Sequence, residues 1–183
     1  GIRRVMVKAP AELPSLLLAW KAPKVTGMDA KAWVRDADAY ALDVLQALLD
    51  GYDGARLPTR LVKEQRIAQD VDVGYDDVAR GPALFMIQAT PAPGKTPAEL
   101  EAAIRAEVAR IATDGVTDDE LVRARAQMLA AQVYKRDSMF AQAMEMGMLE
   151  TVGLGWQATD LMVERLKAVT AADVARVAKT YFG

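Results

Sequence analysis

The sequence predicts an α+β fold, a sandwich in which a mostly antiparallel sheet is covered on one face by helices. Three observations support this fold class. Short apolar or alternating segments, typical of strands, lie in the first half of the chain, where one long helical pattern interrupts them. The second half contains only helical patterns, most of them opened by a capping signal. Such a sheet leaves its other face free to cover a cavity or to meet a second copy of the chain.

Two strands are predicted near the start of the chain. Arg4 to Lys8 alternates between apolar and polar side chains, and Leu16 to Trp20 is a short apolar run that ends at a proline, Pro23. Alternation and short apolar runs bounded by turn residues are both strand signals.

One long helix is predicted next, starting near Asp29 and ending at Gly51, and a shorter helix is predicted from Pro58 to Gln65. Glycine directly after a periodic apolar pattern is a common helix end. The apolar residues of the long helix recur at steps of three and four, as one helical face requires. These residues are Trp33, Ala37, Tyr40, Val44 and Leu48.

Two more strands follow. Val71, Val73 and Tyr75 alternate with polar residues, which predicts a half-buried strand with one solvent-facing side. Leu84 to Ile87 is its predicted neighbour and, being more apolar, the more central strand. The sheet therefore has four or more strands by this interpretation.

The rest of the chain is predicted to be helical. Capping boxes, in which a Thr and an acidic residue three positions later satisfy free backbone N–H groups, open three helices. Asp137 or Ser138 caps another helix, which ends at Gly153 to Gly155, and Met162, Leu166 and Val169 mark a further one. The three boxes are Thr96–Glu99, Thr117–Glu120 and Thr170–Asp173.

Composition limits the classes of function. The chain has 183 residues and a formal net charge of −2, so we predict one domain over residues 1–183 without the basic surface of a nucleic-acid-binding protein. No apolar run is long enough to span a membrane. Because the sequence begins within a strand pattern, we expect it to be a fragment of a longer protein.

The chain contains no His and no Cys, and only two serines. Ser-His-Asp and Cys-His catalysis and zinc binding by imidazole are therefore excluded, so we assign no catalytic residue, no metal ligand and no cofactor to this chain. The acidic residues of the Val71 strand and the turn after it could in principle bind a hard cation, but their spacing favours solvated side chains. These are Asp70, Asp72, Asp76 and Asp77.

A cluster of methionines is the one compositional oddity. Met139, Met144, Met146 and Met148 lie beside Phe140 in the helix predicted after Ser138. Methionine fills irregular gaps, so a partner-binding groove is one interpretation. Packing against the sheet within the domain, with Gly147 allowing close approach, is the interpretation we favour.

Several motifs together resemble one family. Gly54 to Tyr75 (GARLPTRLVKEQRIAQDVDVGY) follows a long helix and resembles the Gly-rich turn, Arg-Leu pair, short helix, Glu-Gln and strand of the second domain of pitrilysin/insulinase zinc peptidases. Gly115 to Arg125 resembles the opening of a helix in that domain, and Thr170 to Phe182 its closing helix. Lys8 to Pro14, followed by an apolar strand, fits its start. The motifs occur in the right order over essentially the whole chain.

The resemblance implies a division of labour between two domains. Members of this family bind zinc through a His-x-x-Glu-His helix and a distal Glu on a first domain, and a similar second domain without the motif completes a peptide-enclosing chamber. This chain, which has no His, resembles that non-catalytic half, with zinc in its partner. The resemblance implies one further strand after Gly183, which this sequence lacks.

The sequence departs from the family at the residues that face the substrate. Many second domains carry an Arg and, seven residues later, a Tyr that reach towards the bound peptide. Alignment on Lys63-Glu64-Gln65 places Val62 and Gln69 at these positions. Arg60 or Tyr75 would substitute only in a shifted register.

Two functions of different class are consistent with these features. In the first, the domain completes the substrate chamber and helps to bind and orient peptides for a zinc-bearing domain on the same chain or a separate subunit. In the second, it is a degenerate assembly module that binds a partner protein without contacting substrate. A homodimer of the fragment is a further expectation. The resemblance to bacterial members implies a periplasmic location, with the cytoplasm as the alternative.

Overall fold

A computed structural model describes residues 2–8, 10 and 13–183. Over these residues the chain forms three strands, seven α-helices and one π-helix, Pro58–Glu64. The strands are β1 (Leu16–Ala22), β2 (Ala68–Tyr75) and β3 (Ala83–Pro91). The α-helices are α1 (Ala30–Arg35), α2 (Ala37–Asp50), α3 (Pro97–Asp114), α4 (Asp118–Arg136), α5 (Met139–Thr151), α6 (Ala158–Ala168) and α7 (Ala171–Phe182).

The sheet is antiparallel, with strand order β1-β3-β2. Its central row pairs Leu18 of β1 with Ile87 of β3 and Ile87 with Val73 of β2. The prediction that the more apolar strand is the central one is therefore confirmed. A strand between two neighbours hydrogen-bonds on both sides and is shielded along both edges, so it tolerates the highest apolar content.

The prediction of a strand at Arg4 to Lys8 is wrong. These residues have no regular secondary structure, and Val5 and Val7 are 73% and 82% exposed. Arg4 instead donates hydrogen bonds to Glu101 at the start of α3. Alternation shows that a segment could form a strand, but a strand also needs a neighbour, and no described strand pairs with this one. The described part of the chain therefore has three strands rather than four.

Residues 1, 9, 11 and 12 lie outside the described residues. Three of the seven residues of the Lys8 to Pro14 motif, which resembles the start of the family's second domain, therefore have no structural counterpart to compare with the prediction.

The predicted helix from Asp29 to Gly51 is divided in two at Asp36. The Asp36 carboxylate accepts hydrogen bonds from the backbone N–H groups of Thr26 and Gly27, at 2.7 and 3.2 Å, and from the Thr26 hydroxyl. These bonds tie the residue to the loop before α1, and its backbone leaves the helical conformation. The break depends on a contact ten residues away, which helical periodicity cannot reveal.

Helices α2, α3 and α7 cover one face of the sheet and form the main core with it, so the predicted layer arrangement is confirmed. The helices bury apolar side chains at the three- and four-residue spacing of one helical face. Phe85 of β3 is at the centre, with its ring 4.9 Å from that of Phe182 in an edge-to-face arrangement. Other fully buried core residues are Leu42, Leu45, Leu48, Ile87, Leu100, Ile104 and Ile111.

All three predicted capping boxes are present, and Ser138 rather than Asp137 caps α5. In each box the Thr hydroxyl accepts from a backbone N–H and the acidic side chain accepts from the backbone N–H of the Thr. These signals succeed because every group involved lies within four residues.

The favoured interpretation of the methionine cluster is wrong, because α5 does not pack on the sheet. It lies against α4, and only Leu149 of its thirteen residues is buried. Leu149 joins Val78 and Ala158 in a small cluster separate from the main core. Met139, Phe140, Met144, Met146 and Met148 are between 42% and 87% exposed.

Candidate functional site

No described residue covers the face of the sheet opposite the helices. This face has an apolar part and an acidic part. Leu17 and Ala19 on β1 and Met86 on β3 give it an apolar centre. Asp70 and Asp72 give the β2 side an acidic border. The cross-strand rows on this face are Leu17–Gln88–Asp72 and Ala19–Met86–Gly74. An apolar surface with a charged border suits contact with a chain that offers both side chains and polar backbone.

The edge of β2 is hydrogen-bonded to α2 in its C-terminal half. The Val73 N–H donates to the Asp50 carboxylate at 3.2 Å, and the Gln46 amide donates to the Val73 carbonyl at 3.1 Å. Both groups of Val73 therefore point away from β3. Outward-pointing residues alternate in an antiparallel ladder, so Val71 also directs its N–H and C=O to the edge. No described residue hydrogen-bonds to these groups of Val71 from outside the sheet.

Gln69, one of the predicted substrate-facing residues, lies at an irregularity of this edge. Ala68 pairs with Pro91 and Asp70 with Thr90, which leaves Gln69 as the extra residue of a β-bulge. Its side chain is exposed. Bulges redirect side chains and are frequent beside functional sites.

Val62, the other predicted position, lies on the π-helix Pro58–Glu64 and is half-buried against the main core. The helix ends with a hydrogen bond that spans five residues instead of the four of an α-helix. It runs from the Gln65 N–H to the Arg60 carbonyl, at 2.9 Å. Arg66 then adopts a positive φ of 52°, which reverses the chain into β2. The sequence predicts a helix here, but nothing in its spacing indicates the π geometry.

Arg60, the first of the two substitutes, is held towards the helical side of the domain. Its Nε lies 3.4 Å from a carboxylate oxygen of Glu107 on α3, and Glu107 also accepts a hydrogen bond from Arg110 at 2.6 Å. Glu107 is only 1% exposed. Arg60 and Arg110 therefore neutralise a buried carboxylate, which would otherwise be costly to bury.

Tyr75, the second substitute, is anchored inside the domain. Its hydroxyl donates to the Pro23 carbonyl at 2.7 Å, and its ring lies 5.7 Å from that of Phe85. Burial, together with the charges of Asp77 and Asp43, raises the pKa of Tyr75 above its ordinary value. The structure thus brings Gln69 to the exposed edge of β2, while Arg60 and Tyr75 both have partners within the domain.

Asp77 and Asp43 form a pair of half-buried acids that the sequence analysis missed. Burial, followed by the charge of Asp43, raises the pKa of Asp77, and burial raises that of Asp43 as well. Asp77 is therefore not the solvated turn residue that its position next to the exposed Asp76 indicates, whereas Asp70, Asp72 and Asp76 are exposed as predicted. Nothing in the local sequence distinguishes Asp77 from Asp76.

Arg56 is a second residue whose role the sequence did not show. Its guanidinium makes two hydrogen bonds to the Glu120 carboxylate, at 2.7 and 2.9 Å, and one to the Gly115 carbonyl. These bonds, with the capping contact from Thr117, lower the pKa of Glu120 to about 2. The pair ties the loop before the π-helix to the start of α4.

Among the described residues, no three acidic side chains converge as metal ligands, and the sequence has no His or Cys to supply others. No helix in the described ranges is both long and apolar enough to cross a membrane.

Comparison with known families decides the family of the chain. Residues 1–128 match the model of the peptidase M16 inactive domain. The chain belongs to the peptidase M16 inactive-domain family. The match confirms the resemblance found in the sequence, and it ends within α4, so α5, α6 and α7 lie beyond the matched residues of this M16 domain.

Solved structures share the fold of this M16 domain along nearly its whole length. A protease from Helicobacter pylori is 21% identical with a TM-score of 0.83, over 96% of this chain and 40% of that one. The inactive peptidase domain of a "putative zinc protease" from Bordetella parapertussis is 21% identical with a TM-score of 0.79, over 97% of this chain and 89% of that one. A peptidase M16 inactive domain from Pseudomonas fluorescens is 18% identical with a TM-score of 0.71, over 91% and 37%.

The M16 domain spans 40% of the length of the Helicobacter pylori protease. At these identities the likeness shows a shared fold. A search of curated proteins finds no match to the sequence.

Proposed function

We propose that this inactive M16 domain completes the substrate chamber of a zinc-dependent peptidase in the periplasm. In this proposal it binds and orients peptides, and a partner domain with a His-x-x-Glu-His motif hydrolyses them. The partner is on the same chain or on a separate subunit. Family membership supports the pairing, because the domain belongs to a peptidase family and has neither histidine nor cysteine.

The observation that carries the proposal is the uncovered face of the sheet. A sheet normally buries both faces or exposes a polar one, whereas here Leu17, Leu84 and Met86 are 59%, 41% and 38% exposed on that face. Apolar side chains on one wall of a chamber can pack against the side chains of a bound peptide without requiring one peptide sequence.

The β2 edge offers the second part of the binding surface. Val71 has an outward N–H and C=O to which no described residue hydrogen-bonds from outside the sheet, and Gln69 beside it adds an exposed amide. An extended peptide that aligns with a sheet edge gains main-chain hydrogen bonds. Asp50 and Gln46 occupy the same positions at Val73, so the bound peptide would stop there.

The role proposed for this domain is binding and orientation rather than chemistry. Zinc in the partner supplies the activated water and polarises the scissile carbonyl. The residues described here do not fit a metal, so no step is assigned to a metal in this chain. Gln69 and Val62 contribute an amide and a half-buried apolar contact, and neither transfers a proton. Holding the peptide in a reactive orientation is their contribution to the rate.

Reconstitution tests this function. We expect peptide cleavage when this chain is mixed with the product of the coding segment immediately upstream, beyond what either protein achieves alone, and loss of cleavage with a zinc chelator. Gln69→Ala should lower kcat/KM several-fold, because it removes a contact that binds and orients the peptide. Val34→Ala, on the exposed side of α1, is the matched control.

An assembly module is the alternative function, and one observation favours it. Arg60 and Tyr75 are bonded within the domain, so the family's usual charged and phenolic groups do not reach a substrate from these positions. If the mixture forms a stable complex but shows no added cleavage, the assembly role replaces the chamber role.

A further inference from the structure

Arg165 is a buried cation in the wall of a cleft between helix α6 and the segment that leads into α1. The cleft has a volume of about 370 Å³ and is open to solvent, which is within the range of small-molecule sites. Its lining is apolar except for Asp29 and Arg165. The other residues that form it are Met28, Ala30, Trp33 and Leu161.

The guanidinium of Arg165 is bonded only to neutral groups. One terminal nitrogen donates to the Gly27 carbonyl at 3.2 Å and to the Tyr40 hydroxyl at 3.0 Å. The other donates to the carbonyls of Met28 and Asp29, at 2.9 and 3.2 Å. The remaining donor, Nε, is buried and has no hydrogen-bond partner among the described residues. Arg165 therefore keeps a full positive charge and one unused N–H.

The lack of a counter-charge sets Arg165 apart from the other buried charged residues. In the described part of the chain these are Asp36, Glu101 and Glu107, and each forms a salt bridge with at least one arginine. Arg165 is 3% exposed, and no described carboxylate makes a hydrogen bond to it. An unpaired buried charge is costly. A carboxylate that enters the cleft would therefore be attracted to Arg165.

Asp29 does not supply this carboxylate. Its side chain caps α1 by accepting from the Ala32 N–H at 2.7 Å, and only its backbone carbonyl accepts from Arg165. The negative charge of Asp29 nevertheless lies in the lining of the same cleft. It disfavours a ligand with two negative charges, such as a phosphate, and a single carboxylate suits the cleft better.

Trp33 supplies the largest apolar part of the wall. Its ring lies over the guanidinium of Arg165, 5.2 Å from Cζ, in a cation–π contact. The residue is 41% exposed, so its indole has room to shift towards solvent when a carboxylate approaches Nε. The apolar body of a ligand would then pack against the indole and Leu161.

We propose that this cleft binds a small carboxylate with an apolar body, held by an ion pair with Arg165 and by apolar contact with Trp33 and Leu161. A free apolar amino acid and the C-terminal residue of a short peptide share this chemistry. The proposal does not rest on the peptide-orienting role of the domain, because no residue of the sheet lines the cleft.

A nuclear magnetic resonance titration of this chain with N-acetyl-L-leucine tests the site. The chain has three tryptophans, so the indole N–H signal of Trp33 is the reporter and those of Trp20 and Trp156 are internal controls. Trp33→Phe identifies the reporter signal. We expect a saturable shift of that signal alone, with half-saturation on the order of 1 mM. N-acetyl-L-leucinamide has the same apolar body without the carboxylate and should bind at least about tenfold more weakly.

Either of two results of this titration would overturn the proposal. One is an equal response to the acid and the amide, which would show that Arg165 does not recognise the carboxylate. The other is the absence of a saturable shift with N-acetyl-L-leucine up to about 20 mM.

A negative charge placed in the cleft tests the role of Arg165 without removing the hydrogen bonds that Arg165 makes. Leu161→Glu lies one helical turn before Arg165 on the same face of α6. It should weaken binding of N-acetyl-L-leucine by more than about tenfold, because its carboxylate repels the ligand and competes for the guanidinium. Val163→Glu, on α6 outside the cleft lining, is the matched control and should change the affinity by less than about twofold. Circular dichroism checks the fold of both variants, and equal affinities in the two would overturn the proposal.

Two further ligands distinguish the two sources of the carboxylate. L-leucine carries an ammonium group beside its carboxylate, whereas glycyl-L-leucine carries it one residue away. Tighter binding of L-leucine assigns the cleft to free amino acids, with Asp29 near the ammonium group. Tighter binding of glycyl-L-leucine assigns it to peptide C-termini. Failure of both ligands to shift the Trp33 signal would contradict the proposal.

Discussion

Helices α2 and α5 are nearly equal in length but differ in how they use their apolar residues. Nine of the fourteen residues of α2 are buried, all of them in the main core. One of the thirteen residues of α5 is buried, although five of its residues are methionine or phenylalanine. A sequence pattern typical of a buried helix therefore packs into the core in α2 and stays exposed in α5.

The comparison extends to the regions that contain the two helices. Strands β1 to β3 with α2, α3 and α7 form one continuous core. Val78, Leu149 and Ala158 form only a small separate cluster beneath α5 and α6. Stability should therefore reside in the first region.

The largest expected effect is a contrast between two phenylalanines. Phe85→Ala should lower the free energy of unfolding by about 3–5 kcal/mol, because it removes a fully buried ring that contacts Phe182. Phe140→Ala should change it by less than about 0.5 kcal/mol at concentrations where the chain is monomeric, as exposed substitutions usually do. Urea unfolding followed by circular dichroism measures both. Equal losses of unfolding free energy in the two variants would contradict the distinction between the two regions.

The next effect concerns the ion pair between Arg56 and Glu120 at the start of α4. Arg56→Ala should cost about 2 kcal/mol, because it leaves the mostly buried Glu120 carboxylate without its main partner at the start of α4. Lys167→Ala, which removes one member of an exposed ion pair with Glu164, should cost less and serves as the comparison. Chemical unfolding at neutral pH checks the difference between the two variants.

The same pair sets a pH dependence. Arg56 lowers the pKa of Glu120 to about 2, so the stabilisation is complete above the ordinary carboxyl pKa and is lost as the pH falls towards 2. The difference between the natural chain and Arg56→Ala should therefore shrink on acidification. A constant difference from pH 6 to pH 2 would show that the cost has another origin.

A smaller effect of opposite sign is expected at Asp77. Burial raises the pKa of Asp77 in the folded state, so the folded chain holds a proton that the unfolded chain releases. Because of this difference, Asp77 makes the free energy of unfolding fall as the pH rises above about 4. Asp77→Asn should therefore raise the free energy of unfolding at pH 7 by about 1 kcal/mol and have less effect at pH 4. Asp76→Asn, at the exposed neighbour, should leave the free energy of unfolding nearly unchanged at both pH values. Thermal unfolding at the two pH values distinguishes these outcomes.

The smallest expected change is at Gly147. It is exposed within α5 and has open space around its missing Cβ, so Gly147→Ala should stabilise the monomer by about 0.5–1 kcal/mol through helix propensity. A loss of stability would mean that a neighbour within the domain approaches this glycine, contrary to the comparison of α2 and α5. Urea unfolding of dilute protein provides the measurement.

The parts of the fold that the sequence predicted correctly depend on short-range contacts. Thr96 and Thr117 open helices with acidic residues three positions later, so all participants are visible in one short window. The central position of β3 also followed from its own apolar content. Spacing and composition are sufficient where the physical cause is local.

The errors arise where a distant residue decides the structure. Asp36 ends α1 because Thr26 and Gly27 donate to its carboxylate. Within the described part of the chain, residues 4–8 have no neighbouring strand. At the candidate site, Gln69 was named by resemblance, but its position in a β-bulge depends on the pairing of β2 with β3. The burial of Asp77 likewise depends on packing against other elements.

The most direct test of the peptide-binding claim is amide hydrogen exchange in this chain when it is bound to the proposed zinc-bearing partner, with the zinc removed so that peptide is not cleaved. Adding peptide should slow exchange in the N-terminal half of β2, at the outward N–H of Val71 and beside Gln69, and should leave α5 unchanged. Peptide that leaves β2 unchanged while the two proteins remain associated would contradict the account and assign this domain to assembly alone.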